Sequence, residues 1–120
     1  MTTVKIREFY CNGLGYHKID VEGHVVRKDP ERNDACVAAS ILSQTLLQTL
    51  RNHVPEFCSY RDNIGEDAHV WITVYTYTKS EPFVKALFEQ AGTGFLMLKD
   101  AYPDDFTVDW NREDGVMGGA

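Results

Sequence analysis

The chain has 120 residues, 43% apolar and 25% charged, the make-up of one globular domain with room for a single core. Its formal net charge is −6, and from Asp100 onward six acidic residues stand against one arginine; this disfavours direct contact with nucleic acid and favours a basic protein or peptide as partner. No apolar run nears the roughly 20 residues that span a bilayer, and Lys5, Arg7 and Glu8 fall where a secretory signal needs apolar residues, so the reading is cytoplasmic, with no membrane association.

In chain order, residues 4–10 (VKIREFY) alternate in part and suit a strand, CNGLG (11–15) supplies a reversal, and residues 16–25 resume as a second strand ending near Gly23 and His24. Residues 26–34 (VRKDPERND) form a charged, solvated loop. A helix follows to about Arg51, with Asn33 or Asp34 as a competent N-cap. Its apolar stripe is Ala35, Ala39, Leu42, Leu46 and Leu50, broadened by Ile41 and Leu47. Pro55 prevents its continuation. Residues 57–62 suit a third strand, and AHVWITVYTYT (68–78) is the strongest strand of all. It turns Val70, Ile72 and Val74 to one face and Trp71, Thr73 and Tyr75 to the other.

Ser80 caps a second helix with Pro82 in its first turn and Phe83, Leu87, Phe88 and Ala91 on its apolar side. Gly92 and Gly94 each cost about 1 kcal/mol inside a helix; the pattern therefore predicts either a break with a new helix over 95–101 or one long helix kept by packing. Pro103 ends it, and DFTVDW (105–110) suits a short strand. The predicted fold is α+β in two layers, an antiparallel sheet with two helices on one face, in the order ββαββα. One domain fills residues 1–110, and 111–120 read as a disordered tail.

The chemistry concentrates in residues 22–44, EGHVVRKDPERNDACVAASILSQ. Cys36 falls in the first turn of the first helix, where unpaired backbone N–H groups and the positive end of the dipole favour a thiolate. Small residues follow it, leaving room for a substrate chain. The eleven residues between His24 and Cys36 are long enough to bring the imidazole back to the sulfur. An imidazolium 4 Å from a thiolate contributes about 4 kcal/mol at an effective dielectric near 20, on the order of three pK units. The helix end contributes only about 0.3–1 kcal/mol. The histidine therefore decides whether Cys36 is a nucleophile or a slightly acidic core thiol, the bland reading for a cysteine on an apolar helix.

The other candidates carry less. Cys11 sits beside the first turn, and Cys58 reads as buried in a strand. His17 and His53 read as surface residues, and His69 begins a strand beside Asp67. Three cysteines with no CxxC pair give no support to zinc. No cofactor and no metal are expected.

GHVVRKDPERNDACVAASILSQTLLQTL, read as a whole, resembles the signature of the ribosomal-processing cysteine protease family (Prp). In that family a strand ends in Gly-His, and a loop leads to Asp-Ile-Val-Cys-Ala-Ala-Val-Ser at the start of a helix. The twelve-position step from His24 to Cys36 matches, and Ser40 falls at the family's serine. GFLMLKDAYPDDFTV is similar to the family's closing segment, so the resemblance spans most of residues 4–108. It implies a small, cytosolic, dimeric cysteine endopeptidase with a Cys-His dyad. The implied substrate is a bacterial large-subunit ribosomal protein whose N-terminal extension is removed. Carried over, Cys36 is the nucleophile and His24 its base, and Gly23, Asn33, Asp34 and Ser40 belong to the supporting, oxyanion or substrate region.

Three departures mark the chain as divergent. Asn33 stands where the family has aspartate, with Asp34 shifted by one. Val25 replaces the alanine after the histidine. Arg27, Lys28, Asp29, Glu31 and Arg32 charge a loop that is smaller or glycine-containing in the family. The second reading is a lapsed homologue that binds a protein or peptide without cutting it; a third, a metal or redox protein using Cys36 and His24, lacks enough ligands.

Overall fold

The computed structural model describes residues 2–11, 14–23, 34–53, 69–76 and 81–113. Alternation of apolar and polar residues builds four strands: β1 (Thr2–Cys11), β2 (Leu14–Glu22), β3 (His69–Thr76) and β4 (Phe106–Glu113). Two helices, α1 (Asp34–His53) and α2 (Glu81–Ala101), complete the described elements, with α1 between β2 and β3 and α2 between β3 and β4. The sheet order is β3-β2-β1-β4. The strand expected at 57–62 lies outside the described residues, as does the capping residue Ser80.

The α+β class is as expected, with one sheet and the helices on one face, and the sheet is mixed. β1 pairs antiparallel with β2, and β2 antiparallel with β3, but β4 runs parallel to β1 from Thr2↔Phe106 to Phe9↔Glu113. The cause is the path of α2. β3 ends at the far end of the sheet, α2 carries the chain back, and the Thr2 N–H donates to the Asp105 carbonyl at 2.8 Å just before β4 begins. A strand entering there lies beside β1 in the same direction. β4 also runs to Glu113, three residues into the segment expected as a tail, held by the parallel register with Arg7, Glu8 and Phe9.

Registry explains the core. Val108–Val4–Val21–Val70 and Trp110–Ile6–Ile19–Ile72 form successive rows on the inner face. The helices cover these rows with Ala35, Ala39, Leu46, Leu47 and Leu50 from α1 and Val84, Phe88, Ala91 and Phe95 from α2. The face assignment within β3 is as expected. Ile41 and Phe83 are not core residues: both are exposed, because each lies on the flank of its helix that turns away from the sheet.

α2 is one uninterrupted helix through Gly92 and Gly94. A Cβ at Gly92 would lie 2.6 Å from the Trp110 ring, and one at Gly94 would lie 2.8 Å from the end of Leu42. Both glycines admit close neighbours, and that packing offsets their poor helix propensity. Leu42 beside Gly94 and His53 beside Phe83 (ring centroids 5.7 Å apart) set the two helices antiparallel.

Candidate functional site

Asp34 is the first residue of α1 and Cys36 the third. The Cys36 main chain thus lies in the turn whose N–H groups have no intrahelical acceptor. At the other end of the intervening loop, Gly23 follows β2 with φ 85°, a left-handed backbone that glycine adopts without steric cost. His24 is the next residue in sequence. His24 and Asn33 lie outside the described residues, as do the side chains of Asp34 and Cys36. Ser40, about one helical turn beyond Cys36, is exposed, as is Val37.

The topology brings the two ends of that loop to one end of the molecule. Glu22, preceding Gly23, pairs with Thr3 near the start of β1. The end of α2 is joined to that same edge by the Tyr102 turn and the Thr2–Asp105 hydrogen bond. Because α1 is antiparallel to α2, its first turn stands beside the last turn of α2. Gly23 and the N-terminus of α1 therefore share the end of the sheet where β1 begins. A nucleophile at that helix start has backbone donors close at hand for a developing oxyanion.

A second cluster was missed by the sequence reading. Glu8 and His17 are both fully buried, which corrects the assignment of His17 to the surface. The His17 Nδ1 lies 2.9 Å from Glu8 Oε1, and Glu8 Oε2 accepts from Trp110 Nε1 and Arg112 Nε at 2.9 Å each. Burial pushes the Glu8 carboxyl upward; hydrogen bonds from His17, Trp110 and Arg112, with the charge of Arg112, outweigh it and hold Glu8 below the usual glutamate range. The signal was present in the period of two. Glu8 continues the inward series Val4, Ile6, and His17 continues Val21, Ile19. His53 is exposed, as expected.

A groove of about 120 Å³ lies between the helices, lined by Leu42, Thr45, Leu46, Thr49, Leu87, Gln90 and Ala91. It holds no titratable group and is not a chemical site. Among the described residues no group of three or more His, Cys, Asp or Glu side chains is placed to hold a metal ion, and no helix is long and apolar enough to cross a membrane.

No protein-family model and no curated protein sequence matches the chain. Solved structures do. The chain superposes on SMU.848 from Streptococcus mutans with a TM-score of 0.67 at 19% identity, covering 93% of this chain and 95% of that one. It superposes on the essential ribosomal processing protease Prp from S. aureus, crystallised with a substrate peptide, with a TM-score of 0.68 at 11% identity, covering 92% and 100%. The same protease with a covalently linked product peptide gives 0.65 at 8% identity, covering 90% and 99%. At these identities the likeness establishes a divergent Prp-like fold over nearly the whole of both chains.

Proposed function

We propose that this protein is a cysteine endopeptidase of the ribosomal-processing type, using Cys36 as nucleophile and His24 as its base. The observation that carries the reading is the convergence of Gly23 and the first turn of α1 at one end of the sheet, within a fold shared end to end with a protease crystallised on its peptide substrate. In the reaction His24 takes the Cys36 proton and the sulfur attacks the scissile carbonyl. N–H groups of the α1 start receive the oxyanion, protonated His24 gives its proton to the leaving amine, and water then releases the acyl group. Asn33, Asp34 and Ser40 support the site or its substrate, and Gly23 frees the chain from β2 just before the histidine.

The proposed substrate is an extended segment of a protein, with the N-terminal extension of a bacterial large-subunit ribosomal protein as the specific candidate, and the proposed assembly is a homodimer in the cytoplasm. The test is cleavage of that ribosomal protein by purified enzyme, followed by mass spectrometry. Wild type cuts within the N-terminal extension, and Cys36→Ala and His24→Ala each lose at least about a hundredfold in rate. Cleavage by Cys36→Ala at the wild-type rate would overturn the assignment. The one observation favouring a binding-only homologue is Asn33 in place of the family's aspartate; tight binding of the uncut protein by wild type, with no product, is its signature.

A further inference from the structure

Each helix packs one side on the sheet and turns the other to solvent, and that outward side has an uncommon composition. One residue in four of this chain is charged, yet none of the sixteen from Ala35 to Leu50 is. A helix between core and water ordinarily carries charges on its solvent side; this stretch of α1 carries apolar residues there instead. Val37 is 54% and Ile41 59% exposed, one turn apart. α2 matches it. Met97 is 66% exposed, and Lys85 and Glu89 occupy the other flank of α2, where Lys85 lies over the Tyr10 ring at 4.8 Å.

Between the helices this uncharged side sinks into the groove of about 120 Å³, walled by Leu42, Thr45 and Thr49 from α1 and by Leu87, Gln90 and Ala91 from α2. Ile41 and Met97 flank the Leu42–Gly94 contact at one end, and Phe83 stands beside His53 at the other. Polar side chains here are turned back on α1: Thr49 Oγ1 donates to the Thr45 carbonyl at 2.7 Å, and Gln48 Nε2 to Asn52 Oδ1 at 3.1 Å. They leave methyl and methylene surface for a partner.

That chemistry selects the occupant. Two helices keep their backbone N–H and C=O groups to themselves, so an extended segment lying here would bury its own groups unmet. A helix arrives with those groups already paired. Helices that lie on lipid carry Lys and Arg beside their apolar face; Ala35–Leu50 has neither, on a chain of net charge −6. A second copy placed by a two-fold axis through the seam would lay groove on groove and fill neither.

We infer that the groove along the α1–α2 seam docks an amphipathic helix of another protein, which lies between α1 and α2 as a third helix. From Ile41 to His53 the seam is about 18 Å long, room for about three helical turns. The docking helix presents apolar side chains at i, i+3, i+4 and i+7 and no charge on that face, because a charge buried there would lose water and meet no counter-charge. The contact is small, so binding is weak, with Kd on the order of 10–100 μM. The inference does not depend on the chemistry of Cys36.

Fluorescence anisotropy of a labelled peptide of about 18 residues tests it on the full chain. The peptide carries Leu and Ala at i, i+3, i+4 and i+7 and Gln, Glu and Lys of zero net charge elsewhere. One control has the same composition shuffled to abolish the apolar face, and a second has Pro at its centre. Wild type binds the first peptide and raises its helical circular dichroism, and binds both controls at least about tenfold more weakly. Ile41→Glu and Thr45→Glu, both at exposed positions and checked for folding by circular dichroism, each weaken binding by at least about tenfold. Tyr75→Glu, on the sheet face away from the helices, leaves binding unchanged. No binding at about 500 μM protein, equal binding of either control, or binding that survives both seam variants would each overturn the inference. So would a dimer seen by sedimentation that Ile41→Glu dissolves, since the occupant would then be a second copy.

Discussion

At the scale of single residues, Glu8 is the most demanding side chain in the described structure. A fully buried carboxylate is costly unless its oxygens are matched by donors, and here three side chains from β2 and β4 match them. Glu8→Gln removes the charge and turns an amide N–H₂ toward groups that themselves donate, so at pH 7 it destabilises the protein by about 1–3 kcal/mol, read as a lower urea midpoint with an unchanged slope. The pH dependence follows from the direction of the shift. Because the folded carboxyl titrates below its unfolded value, its contribution is complete above the ordinary glutamate range and is lost as pH falls through the lower folded value. The gap between wild type and Glu8→Gln therefore narrows on acidification. A gap that widens toward low pH would contradict a stabilised carboxylate. His17 was legible as inward-facing from strand alternation, but a histidine amid charged neighbours (Tyr16-His17-Lys18) reads as surface when its cross-strand partner is unknown.

At the scale of elements, α2 and β4 show what local patterning reveals and where it stops. The stripes Leu46–Leu50 and Phe88–Ala91 identified both helices, and β-branched and aromatic density identified β3, because those signals are local. Whether α2 survived Gly92 and Gly94 depended on Trp110 and Leu42, which belong to other elements and leave no trace near the glycines. The two positions accordingly differ in their response to a methyl group. Gly92→Ala drives a Cβ into the Trp110 ring, which is held by its bond to Glu8; overpacking of about 1–3 kcal/mol outweighs the helix-propensity gain of about 1 kcal/mol. The nearest atoms to a Cβ at Gly94 all belong to the Leu42 side chain, its two terminal methyls first; that end is flexible and can rotate away, so in Gly94→Ala the propensity gain prevails or the change is neutral. Thermal midpoints of the two variants check this: Gly92→Ala falls below wild type and Gly94→Ala does not. The parallel entry of β4 was equally invisible in sequence, since it is set by where α2 returns the chain.

At the scale of the whole molecule, a two-layer fold brings to one end of a sheet the two ends of the loop between β2 and α1, one followed by a histidine and the other carrying a cysteine in a helix's first turn. The end of β2 at Gly23 and the start of α1 were readable in sequence because both are strong local signals, a glycine closing an alternating strand and the onset of a three-four apolar stripe. The loop composition, divergent at Val25 and Asn33, gives no equivalent handle on substrate. If the two groups act as one unit, sulfur ionisation at neutral pH depends on the imidazole far more than on the helix dipole. The direct measurement is the pH dependence of iodoacetamide alkylation at Cys36, resolved from Cys11 and Cys58 by peptide mass spectrometry, in wild type and His24→Ala. A catalytic pair gives rapid labelling well below pH 8 that His24→Ala shifts upward by about two or more pH units. The same ordinary thiol profile in both proteins would contradict it.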